Sequence, residues 1–142
     1  MSMSFNRIYD IAGSAMRAQT VRLDTVASNL ANVDTASGSE ATAYRAIKPV
    51  FQTVYQNVEE VGGLGAATVD IAGIAQSNRN VEQRYDPENP LADANGNVFY
   101  SNVNTVDEMA DMMSASRAFE TAVSVMNRIG SMQQGLLRLG QS

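Results

Sequence analysis

Residues 105–140 read TVDEMADMMSASRAFETAVSVMNRIGSMQQGLLRLG, and their spacing decides the fold. Val106, Met109, Met113, Ser116, Phe119, Val123, Met126, Ile129, Met132 and Leu136 recur in steps of three and four, which predicts a long amphipathic helix over 105–142. Thr105-Val106-Asp107-Glu108 fits a capping box at its start, the Thr hydroxyl taking an amide three residues on and the Glu carboxylate reaching back. Gly140 suits the far end. Gly130 and Gly135 each cost about 1 kcal/mol relative to Ala inside a helix, so they mark a bend or a close neighbour.

The other end of the chain repeats the pattern. Phe5, Ile8, Ala12, Ala15, Leu23, Val26, Leu30 and Val33 form a near-heptad stripe interrupted by Gln19, predicting an N-terminal helix within 1–35. Ser4 is its expected cap, and Asn32, Asp34 and Gly38 supply turn residues beyond it. A helix of about 28 residues would be about 42 Å long, too long for a compact domain of this size.

Residues 36–104 change character. Tyr44 to Tyr55 is rich in β-branched and aromatic residues, Ala67 to Ile71 alternates, and short runs follow at Val81 to Tyr85 and Val98 to Tyr100. Gly62-Gly63-Leu64-Gly65 reads as a loop, Pro87 and Pro90 bracket another, and Asn95-Gly96 is a turn dipeptide able to close a hairpin between the last two runs. The fold class expected is therefore mainly α with a small β-rich insert. The chain runs up one helix, through the insert and back along the other, the pair being antiparallel or steeply crossed and coiled-coil-like. Leu23, Val26, Leu30, Phe119, Val123 and Met126 are the residues expected to pack the helices together. Two helices make a poor core, however, and Ile11, Met16, Val21, Met112, Val125, Leu137 and Leu139 lie off the main face. Their surplus apolar surface predicts covering by other chains.

Composition removes many functions. The 142 residues contain no His, Cys or Trp, which excludes disulfides, thiolate nucleophiles, imidazole bases and histidine metal sites. A net charge of −5 argues against nucleic acid and anionic membrane surfaces. Four basic and eight acidic groups fall in 36–104, leaving the helical ends nearly neutral. Nine of the ten basic side chains are Arg, the type that makes planar contacts at interfaces. No apolar run approaches the roughly 20 residues of a membrane span, and the first residues lack the apolar segment of a cleaved secretory signal.

Local motifs are weak. Gly63-Leu64-Gly65 begins like a dinucleotide fingerprint, but Thr68 replaces its third Gly. Asp93-Ala94-Asn95-Gly96-Asn97 imitates a calcium loop with Gly two places early and Asn104 where a bidentate Glu belongs. Glu59-Glu60, Asp86 with Glu88, and Asp107-Glu108 are carboxylate pairs of the kind glycoside hydrolysis uses, yet short polar stretches of this sort are ordinarily solvated surface. Neither a cofactor nor a metal is expected. Five of the eight Met residues lie in the C-terminal helix, either as core filling or as an adaptable contact surface.

The stretch Ala27-Ser28-Asn29-Leu30-Ala31-Asn32-Val33-Asp34-Thr35 resembles the N-terminal signature of bacterial flagellar axial proteins, the rod and hook group. Asn89-Pro90-Leu91-Ala92-Asp93-Ala94-Asn95-Gly96, Asn102-Val103-Asn104, Glu108-Met109 and Ser114-Ala115-Ser116-Arg117 resemble the proximal-rod members of that group, as does Asp10-Ile11-Ala12-Gly13-Ser14-Ala15. Ser101, Phe119 and Ala122 depart from the pattern, where Pro, Tyr and Asn are usual. The first is expected to loosen the start of the last helix, the others to remove polar contacts with neighbours.

The resemblance implies a noncatalytic structural subunit of the proximal rod of the flagellar basal body. Its helices would line the export channel, and its partners would be copies of itself, the other proximal-rod proteins, the adaptor between rod and membrane ring, and the distal rod protein. It also implies export by the flagellar type III apparatus, without signal cleavage, to the periplasmic rod. Asn29 to Asn32 would shape the exit from the first helix by side-chain capping. Two rival readings use the same residues: a soluble helical adaptor or export-associated chaperone, and a wall-active hydrolase using Asp86 and Glu88.

Overall fold

A computed structural model describes residues 2–55 and 67–140, with side chains from Phe5 onward. Helix α1 spans Ser2–Ala31 and helix α2 spans Thr105–Leu139. Between them lie β1 (Ala36–Ser37), β2 (Ile47–Tyr55), β3 (Ala67–Gln76), β4 (Glu82–Tyr85) and β5 (Asn97–Tyr100). Two long helices with a small β insert are thus present as the periodicities predict. At 30 and 35 residues the helices are about 45 and about 52 Å long. Arg22 meets Asp111 while Tyr9 lies beside Gly130, so the helices pack in antiparallel directions.

The seam between them is built from small residues. Between α2 and the β2-β3 hairpin, α1 buries Ala12, Ser14, Ala18, Thr25, Val26 and Asn29, and α2 buries Glu108, Ala115, Ala122 and Ile129, which are spaced seven apart. This corrects the expected packing face. Of the α2 stripe only Ile129 is buried, and Val106, Met109, Met113, Met132 and Leu136 are exposed. Among the six expected packing residues Val26 is buried, while Leu23, Leu30, Phe119, Val123 and Met126 are half-buried. The reason is geometric: alanines let two backbones approach closely, and a lone partner helix covers only a narrow strip of each cylinder.

Helix termini differ from expectation in detail. Asn104, not Thr105, caps α2, its side-chain oxygen accepting the amides of Val106 at 3.0 Å and Asp107 at 3.4 Å. Glu108 does not close a capping box, because its carboxylate is turned inward. Helix α1 already runs from Ser2, so Ser4 lies inside it. Gly140 does end α2, but with φ −81° rather than in the left-handed region.

The insert forms two antiparallel sheets, one in the order β1-β5-β4 and the other a β2-β3 hairpin. The hairpin runs from Ile47 opposite Gln76 to Tyr55 opposite Ala67, and a register shift between Val50 and Phe51 leaves Ala72 as an extra residue on β3. It docks on α1, where the Ser14 hydroxyl accepts the Val69 amide at 3.3 Å. The expected pairing of the last two runs is present, as Glu82 faces Tyr100 and Tyr85 faces Asn97. Glu59, Glu60 and the Gly62–Gly65 stretch lie outside the described residues; Thr68, which stands where the dinucleotide fingerprint has its third Gly, sits in a strand rather than at a helix start.

Candidate assembly surface

The two sequence signatures at opposite ends of the chain meet in the fold. Asn29, with no solvent exposure, sits near the end of α1 on the face that must be apolar or fully satisfied. Its amide nitrogen donates to the Ile47 carbonyl at 2.9 Å and to the Glu108 carboxylate at 3.0 Å. Its amide oxygen accepts the Ile47 amide at 2.9 Å and the Tyr44 hydroxyl at 3.1 Å. One side chain thereby fills all four of its bonding positions and binds the backbone of β2 as a neighbouring strand would. Within the Asn29 to Asn32 segment expected to shape the exit from α1, the side-chain cap is Asn32, whose amide donates to the Ser28 carbonyl at 2.9 Å.

A second amide works alike. Asn102 accepts the Ala46 amide and donates to the Arg79 carbonyl, both at 2.7 Å. Ser101 is buried, and its hydroxyl donates to the Val33 carbonyl at 2.7 Å, so it ties the end of α1 to the start of α2 rather than loosening it. Ala122 lies in the buried seam and faces α1, which corrects its expected place at a neighbour contact.

One turn beyond Glu108, Asp111 accepts from Arg22 at 2.6 Å and from Lys48 at 3.4 Å. The Arg22 hydrogen bond, with the charges of Arg22 and Lys48, holds the Asp111 carboxyl below its ordinary range. Neither this ion pair nor the Tyr44 contact could be found from local spacing, since the partners are remote in sequence. Asn29 itself was findable, as a polar residue on an apolar face.

In the loop between β4 and β5, Asp93 accepts the amides of Asn95 and Asn97, both at 2.8 Å. These backbone bonds, led by that of Asn97, hold its carboxyl low. The carboxylate is therefore committed to shaping the loop. Asn89 plays a similar part, accepting the Leu91 amide at 3.0 Å and donating to Asp86 at 3.3 Å, while Pro90 and Leu91 are exposed. Gly96 takes φ 79°, the left-handed conformation that glycine adopts without penalty. The paired acids have separate roles: Asp107 lies near Arg79, Glu108 is inside, and Glu88 is exposed.

Outside this anchored centre the surface carries many uncovered apolar side chains among its polar ones. Val106 is 75% exposed, Met113 59% and Met132 61%, with Met109 on the same helix also exposed. Gly13, Met16, Val21, Ile71, Phe119 and Met126 line an open groove of about 640 Å³. Ala31 and Arg117 are exposed at the surface. Such a run of uncovered apolar side chains marks a protein-contact surface. No helix among the described residues is long and apolar enough to cross a membrane.

Comparison with known proteins agrees with this geometry. Residues 10–36 match the family model described as flagella basal body rod protein, and residues 94–139 match the one described as flagellar basal body rod FlgEFG protein C-terminal. The chain is 43% identical over 139 residues to the flagellar basal-body rod protein FlgC of Salmonella typhimurium, covering 98% of this chain and 100% of that one. It is 42% identical to the same protein of Yersinia enterocolitica and 33% identical to that of Buchnera aphidicola from Acyrthosiphon pisum, with the same coverage. The two matched segments contain the residues that meet at Asn29 and Glu108, and with whole-length relatives at this identity the chain belongs to the FlgC family of flagellar basal-body rod proteins.

Proposed function

We propose that this chain, a structural rod subunit of the flagellar basal body by its family, builds the proximal part of that rod by packing its two helices against neighbouring subunits. Residues 1–35 and 105–142 are the inner domain, paired coiled-coil-like, and residues 36–104 are the outer β-rich part. The observation that carries this reading is the inversion of the helix pair: alanines fill the seam while Val106, Met109, Met113 and Met132 face outward. A subunit meant to stand alone would bury those side chains, each worth about 1.5–3 kcal/mol when removed from water.

The partners in this proposal are further copies of the chain, the other proximal-rod proteins, the rod-to-membrane-ring adaptor and the distal rod protein. The chain reaches the periplasmic rod unfolded through the flagellar type III export apparatus and gains helical order as neighbours cover its faces. No catalytic step is assigned. Asp86 accepts from Asn89, and Glu88 projects to solvent, so the pair offered by the hydrolase reading has no shared site.

The test is Met113→Asp, at a position outside the seam. The isolated variant retains the helical content and melting temperature of the parent, but cells carrying it in place of the parent do not swim. Normal swimming would count against the proposal and favour the helical adaptor.

A further inference from the structure

The loop 86–96 contains the chain's one Asn-Gly step, Asn95-Gly96. In such a step the glycine's backbone nitrogen, unhindered by a Cβ, can attack the asparagine side-chain carbon. A bond forms from Gly96 N to Asn95 Cγ, the Cγ–NH2 bond breaks, and ammonia leaves carrying the displaced proton. Water then opens the five-membered imide at either carbonyl to give aspartate or isoaspartate. No oxidant or further reactant is required.

The fold cannot avoid the step by changing the glycine. Gly96 has φ 79°, and a Cβ there would lie 2.9 Å from Tyr85 Cε2 and 3.1 Å from Pro87 Cβ. Asn95 itself is exposed, so neither burial nor packing restrains its side chain. What the loop does restrain is the nucleophile. The Gly96 N–H donates to the Asp93 carbonyl at 3.0 Å, and the Gly96 carbonyl accepts the Asp86 amide at 2.9 Å. The amides on either side, Asn95 and Asn97, both donate to the Asp93 carboxylate, and the Asp93 amide donates to the Asn97 carbonyl at 2.9 Å. The attacking nitrogen is thus held by its own hydrogen bond inside a turn fastened on both flanks.

We infer that Asn95 is a site of spontaneous succinimide formation, and that the Asp93 carboxylate protects it in the folded chain by fastening the Asn95 and Asn97 amides, which keeps the turn closed and the Gly96 N–H bonded to the Asp93 backbone carbonyl, away from attack. The unfolded chain has no such restraint. Isoaspartate at 95 would insert an extra backbone carbon between Asp93 and Gly96 and break the turn that joins β4 to β5.

The full-length protein and its variants are incubated in mildly alkaline buffer, and conversion at Asn95 is followed by peptide mass spectrometry. Conversion in the folded parent is expected to be roughly tenfold slower than in the same chain in urea, a difference of about 1.4 kcal/mol in barrier. Asp93→Ala is expected to approach the unfolded rate, whereas Asp93→Asn, which keeps a side-chain oxygen for the two amides, stays near the parent. Circular dichroism of each variant separates loss of the loop from loss of the fold. Should Asp93→Ala unfold, the comparison of parent with and without urea and the Asp93→Asn rate still decide. Equal rates in the folded parent and the urea-unfolded chain, a folded Asp93→Ala that converts no faster than the parent, or no conversion at Asn95 in urea, would overturn the inference.

Discussion

Replacing Asn29 by Ala removes the side chain on which α1, β2 and α2 converge. It leaves the Glu108 carboxylate, 2% exposed, without its amide donor, and strips the Ile47 amide and carbonyl of their partners. A buried group left unsatisfied costs about 1–3 kcal/mol, and more when it is charged. The adjoining cavity of about 300 Å³, lined by Ile47, Glu108 and Asp111, gives water some access and moderates the sum. The expected net loss is about 3–5 kcal/mol, a large share of the roughly 5–15 kcal/mol that holds an ordinary domain together. By thermal unfolding monitored at a helix wavelength, at fixed protein concentration, the melting temperature should fall by roughly 10 °C or more. Asn29→Asp keeps the oxygen facing Ile47 but sets a second carboxylate against Glu108. It should therefore also be less stable than the parent at neutral pH. A melting temperature for Asn29→Ala within a degree or two of the parent would refute the assignment of this side chain as the anchor.

Other predictions follow from the same geometry. The Asp111 carboxyl is held low in the folded chain, so its contribution is present above the ordinary aspartate value of about 3.9 and is lost as pH falls through its lower folded value. Asp111→Asn should accordingly cost about 1 kcal/mol near neutrality, with the gap from the parent closing in acid melts below about pH 4. Ala122→Leu overfills the seam and should destabilise the isolated chain by about 1–3 kcal/mol, whereas Met113→Leu, on the exposed face, should stay within about 0.5 kcal/mol by urea titration. Ser101→Ala leaves the Val33 carbonyl without its hydroxyl donor and should cost about 1 kcal/mol in the same assay.

Much of the architecture was legible because the helical stripes are long and the insert differs from them in composition. Both helices, the β2-β3 hairpin segments and the β4-β5 pair lie where the periodicities put them, with boundaries shifted by a few residues. The facing of α2 was not legible. Large apolar residues such as Met109 and Met113 dominate any reading of its stripe, but on a helix whose packing partner among the described elements is α1 alone the buried positions belong to Ala115 and Ala122. Residue size predicts the inside only when there is enough inside to fill. The cap was misplaced for a different reason: Asn104 and Thr105 are adjacent good caps, and the choice is made by Glu108, drawn inward by Asn29 from 79 positions away. Local sequence holds no trace of such a partner, just as it holds none of Arg22 beside Asp111. The family signatures did mark Asn29, Asn102 and Glu108, yet which atoms they bind emerged only when the two ends of the chain were brought together.

The central claim is that the outward apolar face of α2 is an interface between subunits. The most direct measurement is an electron cryomicroscopy map of the assembled basal body at side-chain detail. The account predicts Val106, Met109, Met113 and Met132 packed against neighbouring rod subunits and closed to solvent. A rod in which those four side chains face water, while other surfaces of the chain make the subunit contacts, would contradict it.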